Sequence, residues 1–128
     1  MCAVILVVDD DQHTRKLLQF VLTHDGHEVV EAEDGLDALR QLSRVRPDLV
    51  VLDVLMPNLD GFSTLQQIRT NPQFKDLPII FLSSRADVSA EYAGLAAGAQ
   101  HYMVKPFKVQ DLLQYIRDML LAAPTQTH

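Results

Sequence analysis

Three consecutive carboxylates, Asp9, Asp10 and Asp11, follow directly on the apolar run Ile5–Val8. Adjacent like charges repel, by about 4 kcal/mol for two unit charges 4 Å apart at an effective dielectric of 20. The cluster makes chemical sense if a positive species sits among it. Other polar residues stand in the same relation to an apolar run. Asp53 ends Leu49–Leu52, Ser83 and Ser84 end Ile79–Leu82, and Lys105 follows His101–Val104. Side by side with their ends aligned, the four runs would bring carboxylates, hydroxyls and an ammonium together. A hard divalent cation relieves the repulsion, and a small set of oxygen ligands completed by water suits Mg²⁺, with Mn²⁺ as the other ion such a site accepts. No His-x-x-x-His or Cys-x-x-Cys spacing offers a zinc site. Asp9 and Asp10 are read as ligands alongside Asp53, and Asp11 as the cap of the helix that follows.

The elements that must position these residues are legible as periods. Ala3–Val8, Leu49–Leu52 and Ile79–Leu82 are short continuous apolar runs, as expected of strands buried on both faces. Glu28–Ala32 and His101–Val104 are weaker strands. Between them the helical period recurs at Leu17, Leu18, Val21 and Leu22, at Leu36, Leu39 and Leu42, at Phe62, Leu65 and Ile68, and at Leu112, Leu113, Ile116, Met119 and Leu120. A further helix spans Val88–Ala97 and stops at Gly98, a position that favours glycine. Gly26 and Gly35 read as breaks between elements, and Asp60-Gly61 as a turn. The chain is thus an α/β repeat: a five-stranded parallel sheet of order 2-1-3-4-5, flavodoxin-like and doubly wound, with five helices. In such sheets ligands bind beyond the carboxyl ends of the strands, where the aspartates, serines and lysine fall.

The 128 residues suit one compact domain, expected over residues 1–121, with 122–128 a tail or the start of a linker. Hydrophobic residues make up 48%, enough for a core. A net charge of −6 disfavours direct binding to nucleic acid or to an anionic membrane surface. The single cysteine, Cys2, excludes an internal disulfide and fits a cytoplasmic setting. No apolar run is long enough for a membrane span.

Four segments, "ILVVDDD", "LVVLDVLMPNLDGF", "IIFLSS" and "GAQHYMVKPF", stand in an order and at spacings that resemble the receiver domains of two-component response regulators. The resemblance covers Ala3 to Leu121. It implies that Asp53 is the phosphoacceptor, that Asp10 binds Mg²⁺ directly and Asp9 through water, and that the Leu55 backbone carbonyl is a further ligand. It implies that the Ser83 hydroxyl and Lys105 reach the phosphoryl group, and that Lys105–Pro106 is a cis peptide. Tyr102 matches an aromatic that swings inward on activation. Leu55 and Arg85 fall at variable positions that set phosphate lifetime; Arg85 either contacts a phosphoryl oxygen or points into solvent. The implied partners are a sensor histidine kinase or phosphotransfer protein and a downstream target or fused output domain. They would be served by a switched surface over the fourth helix, fifth strand and fifth helix, roughly Val88 to Leu121. A phosphorylation-dependent homodimer is the other partnership implied, although Gln100 and His101 replace acidic residues found in one dimerising subgroup. Such a protein is not an enzyme in the ordinary sense: it catalyses its own phosphoryl transfer and autodephosphorylation.

Three other readings compete. A haloacid-dehalogenase-type phosphatase needs an acid two residues after the nucleophile, where this chain has Leu55. A flavodoxin needs a phosphate-cradling first loop, where three aspartates would repel the flavin phosphate. A degenerate receiver would act as a protein-interaction module only, yet none of the family's site residues is missing. His13, His24, His27 and His101 lack partners at ligand spacing and are read as surface or helix-end residues.

Overall fold

A computed structural model describes residues 2–122 of the chain. The element order is β1 (Val4–Val8), α1 (Gln12–His24), β2 (Glu28–Ala32), α2 (Gly35–Leu42), β3 (Leu49–Leu52), α3 (Gly61–Thr70), a 3₁₀ turn (Pro72–Phe74), β4 (Ile79–Ser83), α4 (Val88–Ala96), β5 (His101–Val104) and α5 (Val109–Ala122). All pairings are parallel and the strand order is β2-β1-β3-β4-β5, as the alternation predicts. The fifth helix runs one residue past the expected domain end at 121, and the rest of the expected tail lies outside the described residues.

Burial follows from strand geometry. Successive side chains point to opposite faces, so a doubly covered strand is apolar throughout. Every residue of β3 and β4 is buried. Leu6, Val8, Val50, Leu52, Ile79 and Phe81 pack on one face with Ala38 and Leu42 of α2 and Leu65 and Ile68 of α3. Ile5, Val7, Leu49, Val51, Ile80 and Leu82 pack on the other with Leu18 and Leu22 of α1 and Leu112, Ile116 and Met119 of α5. Register aligns the strand ends: Val8 pairs with Ala32 and Leu52, Leu52 with Phe81, and Ser83 with Val104. The polar residues just beyond these ends therefore share one edge.

Several expectations need correction. Leu17 and Leu36 are exposed, because α1 buries Leu18 and Leu22 and α2 buries Gly35, Ala38 and Leu42. Gly35 is no break: it opens α2 so close to the next loop that a Cβ there would lie 2.1 Å from Thr64 Oγ1 and 2.7 Å from the Leu59 carbonyl. Gly26 and Gly98 do lie in the left-handed region, with φ of 93° and 112°, just past α1 and α4. His27 is buried rather than superficial. Its Nδ1 accepts from the Ala3 amide at 3.2 Å, and its Nε2 lies 3.4 Å from Asp25 Oδ2. This fixes the start of β1 at the sheet edge opposite the aspartates.

Candidate functional site

Backbone pairing carries the chain one residue past each strand and so places the carboxylates. The Asp9 amide donates to the Ala32 carbonyl at 3.1 Å, and the Asp53 amide to the Val8 carbonyl at 3.0 Å. Asp9 and Asp53 are consequently buried, whereas Asp10 is exposed. One carboxylate oxygen from each of Asp9, Asp10 and Asp53 lies within 4.8 Å of the others. Lys105 enters from the end of β5, its amide donating to the Ser83 carbonyl at 2.8 Å. Its Nζ lies 2.7 Å from Asp9 Oδ2 and 3.6 Å from Asp53 Oδ2. The Lys105–Pro106 peptide is cis.

The three adjacent aspartates do three different things. Asp11 caps α1: its oxygens accept from the His13 amide at 3.0 Å and the Thr14 hydroxyl at 2.9 Å. Those bonds, the hydroxyl's first, hold its carboxyl below the usual range. Asp9 is pinned, accepting from the Asp11 amide at 2.9 Å on one oxygen and from Lys105 on the other. The Asp10 carboxylate is exposed.

Burial and then the Asp9 charge push the Asp53 carboxyl up to about 6, against the opposing pull of Lys105 and the Leu55 and Val54 amides. Burial alone would lower the Lys105 ammonium, but its hydrogen bond to Asp9 and the charges of Asp9, Asp53 and Asp11 outweigh it, and the net shift is upward. One ammonium does not neutralise this set. The donors fit a hard divalent ion: all are oxygens, and two oxygens on opposite sides of Mg²⁺ stand about 4.2 Å apart.

The loop after β3 is held to the site from two sides. The Leu55 amide donates to Asp53 Oδ1 at 3.3 Å, while the Leu55 side chain is exposed. Asn58, at φ 69°, donates from Nδ2 to Asp34 Oδ2 at 3.0 Å. Asp60 caps α3 through the Ser63 amide at 2.8 Å. Gly61 is more than a turn residue: a Cβ there would lie 2.2 Å from the Asp53 carbonyl and 2.8 Å from Val54 Cα, so α3 can start directly beneath the phosphoacceptor candidate only with glycine.

Ser83 is buried and its Oγ accepts from the Arg85 amide at 3.2 Å. The Arg85 carbonyl accepts from the half-buried Tyr102 hydroxyl at 2.9 Å. The Arg85 guanidinium is part-exposed and finds its partner at the surface. It forks onto Asp87, Nε to Oδ1 at 3.2 Å and Nη2 to Oδ2 at 3.0 Å, and Asp87 caps α4 through the Ala90 amide. Position along the chain could not reveal this pairing, because it depends on how the loop after β4 folds back. The same holds for Arg15, which neither its type nor its spacing marks out: a basic residue on a helix surface is ordinarily solvated. Here its Nη1 donates to the Asp9 carbonyl at 2.6 Å and its Nε lies 3.3 Å from Glu31 Oε1.

Comparison with known proteins agrees with this geometry. The family model described as "Response regulator receiver domain" matches residues 5–117. The response regulator MprA of Mycobacterium leprae (strain TN) is 47% identical over 116 residues, covering 91% of this chain and 50% of that protein. The chain thus spans about half the length of the curated relatives it matches. Among solved structures, a candidate response regulator from Chloroflexus aurantiacus J-10-fl superposes with a TM-score of 0.90 at 38% identity, covering 94% of this chain and 99% of that one. The chemotaxis response regulator CheY4 of Vibrio cholerae superposes with a TM-score of 0.87 at 33% identity, covering 93% and 99%.

Proposed function

The chain belongs to the response regulator receiver domain family of two-component signalling, and we propose that it is a phosphorylation switch whose acceptor is Asp53. The observation that carries this reading is the meeting of Asp9, Asp10 and Asp53 with Lys105 at one sheet edge. An Asp53 carboxylate oxygen attacks phosphorus on a phosphohistidine of a sensor kinase or phosphotransfer protein, or on a small phosphodonor. The new P–O bond forms as the donor's P–N or P–O bond breaks, and that electron pair leaves with the donor. The product is an acyl phosphate, which water hydrolyses.

Lys105, with its Nζ close to both buried carboxylates, is the cation that pairs with a phosphoryl oxygen. Asp9, Asp10, Asp53 and the Leu55 carbonyl would hold Mg²⁺, or Mn²⁺, which when bound stabilises negative charge on the transferring group. The Ser83 hydroxyl turns toward the phosphoryl group, and its link through Arg85 to Tyr102 and to the cap of α4 carries the change outward. The receiving surface is that of α4, β5 and α5, where Val88, Tyr92, Leu95, Val104 and Tyr115 are exposed. It would serve a downstream target or an output domain of the kind implied by relatives twice as long. Gln100, which accepts from the Ile79 amide, and His101, which stacks on Tyr115, carry no carboxylate for the charge pairs of an acidic-edge homodimer. Among the described residues no helix is long and apolar enough to cross a membrane.

Incubation with acetyl phosphate and Mg²⁺, followed by intact-mass measurement, tests the assignment. One phosphate adduct is expected in the parent protein and none in Asp53→Asn. A full-yield adduct in Asp53→Asn would overturn it.

A further inference from the structure

The acidic cluster is built from a turn that should not be rigid: three like charges in a row, the middle one exposed. Asp9 is nevertheless held at every polar atom. Its amide donates to Ala32, its Oδ1 accepts from the Asp11 amide, and its Oδ2 accepts from Lys105. Its carbonyl accepts from Arg15 Nη1 at 2.6 Å, and the Arg15 Nε is anchored in turn 3.3 Å from Glu31 on β2. The Arg15 side chain is only 15% exposed, so the fork is enclosed rather than waving in solvent. The Asp9 carbonyl belongs to the peptide unit that joins Asp9 to Asp10. Fixing that oxygen fixes the plane from which the Asp10 side chain departs, although Arg15 itself lies on α1.

We infer that Arg15 is a positioning residue for the divalent-cation site: its guanidinium, braced by Glu31, orients the Asp9–Asp10 peptide so that the Asp10 carboxylate faces Asp9 and Asp53. This rests on the reading of those aspartates as the cation site. The planar guanidinium suits the task because one edge donates to the Asp9 carbonyl while another lies against the Glu31 carboxylate; an ammonium is a point charge without that planar reach. Groups that orient metal ligands typically change affinity 10–100-fold when removed.

Charge and position predict opposite signs, which makes the inference testable. Arg15 is a cation beside a cation site, so deleting its charge should tighten Mg²⁺ binding if electrostatics is all it contributes. If it positions Asp10, deletion should weaken binding. Mg²⁺ affinity is measured by calorimetric titration of the full chain, with melting in EDTA as the check on folding. Arg15→Met is expected to bind Mg²⁺ about tenfold more weakly than the parent. Arg15→Lys, which keeps the charge but not the fork, is expected to fall between the two, and it carries the test if Arg15→Met does not fold. Parent-like or tighter binding in Arg15→Lys, or in a folded Arg15→Met, overturns the inference while leaving the cation site intact. Absence of Mg²⁺ binding in the parent overturns both.

Discussion

In the metal-free protein Asp53 should be a destabilising residue, and its replacement by asparagine should show how much. Burial and the neighbouring Asp9 charge raise its carboxyl to about 6, against about 3.9 in an unfolded chain. A carboxyl whose folded-state pKa lies above its unfolded value holds its proton more tightly in the native state. Native stability therefore falls as pH rises from about 4 to about 6 and carries the whole deficit above that. A shift of about 2 units at 1.36 kcal/mol each gives about 3 kcal/mol as the upper figure. Asparagine keeps the acceptor for the Leu55 amide and stays neutral, so Asp53→Asn should recover between one third and all of this at about pH 8. For a domain of this size that is a rise in Tm of roughly 4–12 °C. Thermal melts in EDTA across about pH 4 to 8 make the comparison. The gain should shrink below about pH 6 and disappear near pH 4, where both proteins are neutral at this position. Excess Mg²⁺ should narrow it from the other side, because a ligand at 100 times its Kd stabilises the native parent by about 2.7 kcal/mol. A gain that is the same at pH 5 and pH 8, or a variant less stable than the parent at pH 8, would refute the electrostatic account.

Other consequences are open to simpler measurements. Leu55 is exposed beside Asp53 and cannot orient a water molecule, so Leu55→Asn should speed decay of the phospho-form about tenfold, for about 1.4 kcal/mol of barrier; decay is followed after the phosphodonor is removed, and a rate no faster than the parent's counts against a guarding role. Gly61→Ala drives a Cβ to 2.2 Å from the Asp53 carbonyl, which should destabilise the fold by about 1–3 kcal/mol in urea melts and lower the yield of phosphorylation; an unchanged midpoint would contradict the close approach. Asp87→Ala removes the α4 cap and frees Arg85, so amide exchange over the first turn of α4 should quicken, in line with about 1 kcal/mol lost; unaltered protection would show that the cap contributes nothing there.

The site is an economical use of sheet topology. Two neighbouring strands of opposite winding leave a crevice at their carboxyl ends, and adjacent residues beyond a single strand end take up different roles there. The same few ångströms hold a pinned carboxylate, an exposed one and a helix cap, because the chain turns between Asp9 and Asp11 while a helix starts. Lys105 and Arg15 each supply a cationic hydrogen bond to Asp9, which offsets part of the repulsion.

The sequence by itself determined the strands, their parallel order and the edge at which Asp9, Asp10, Asp53, Ser83 and Lys105 gather. Continuous apolar runs on a doubly covered sheet and the 3.6-residue helical period are local signals, readable without knowing what packs where. Position in the motifs likewise anticipated the Lys105–Pro106 cis peptide and the capping by Asp11. The tertiary structure alone decided the rest. Lys105 meets Asp9 across 96 positions of chain, Arg15 turns back onto the Asp9 carbonyl, Arg85 closes on Asp87, and Gly61 and Gly35 prove to be points of contact rather than turns or breaks. His27, one histidine among several in the sequence, became a buried acceptor for the first strand. Apart from the Arg85–Asp87 pair, which depends on the path of one loop, each of these depends on a distance between atoms of separate segments. A residue's type and spacing say which bonds it can make, but the partner it finds is fixed only when close packing brings two remote surfaces within about 3 Å.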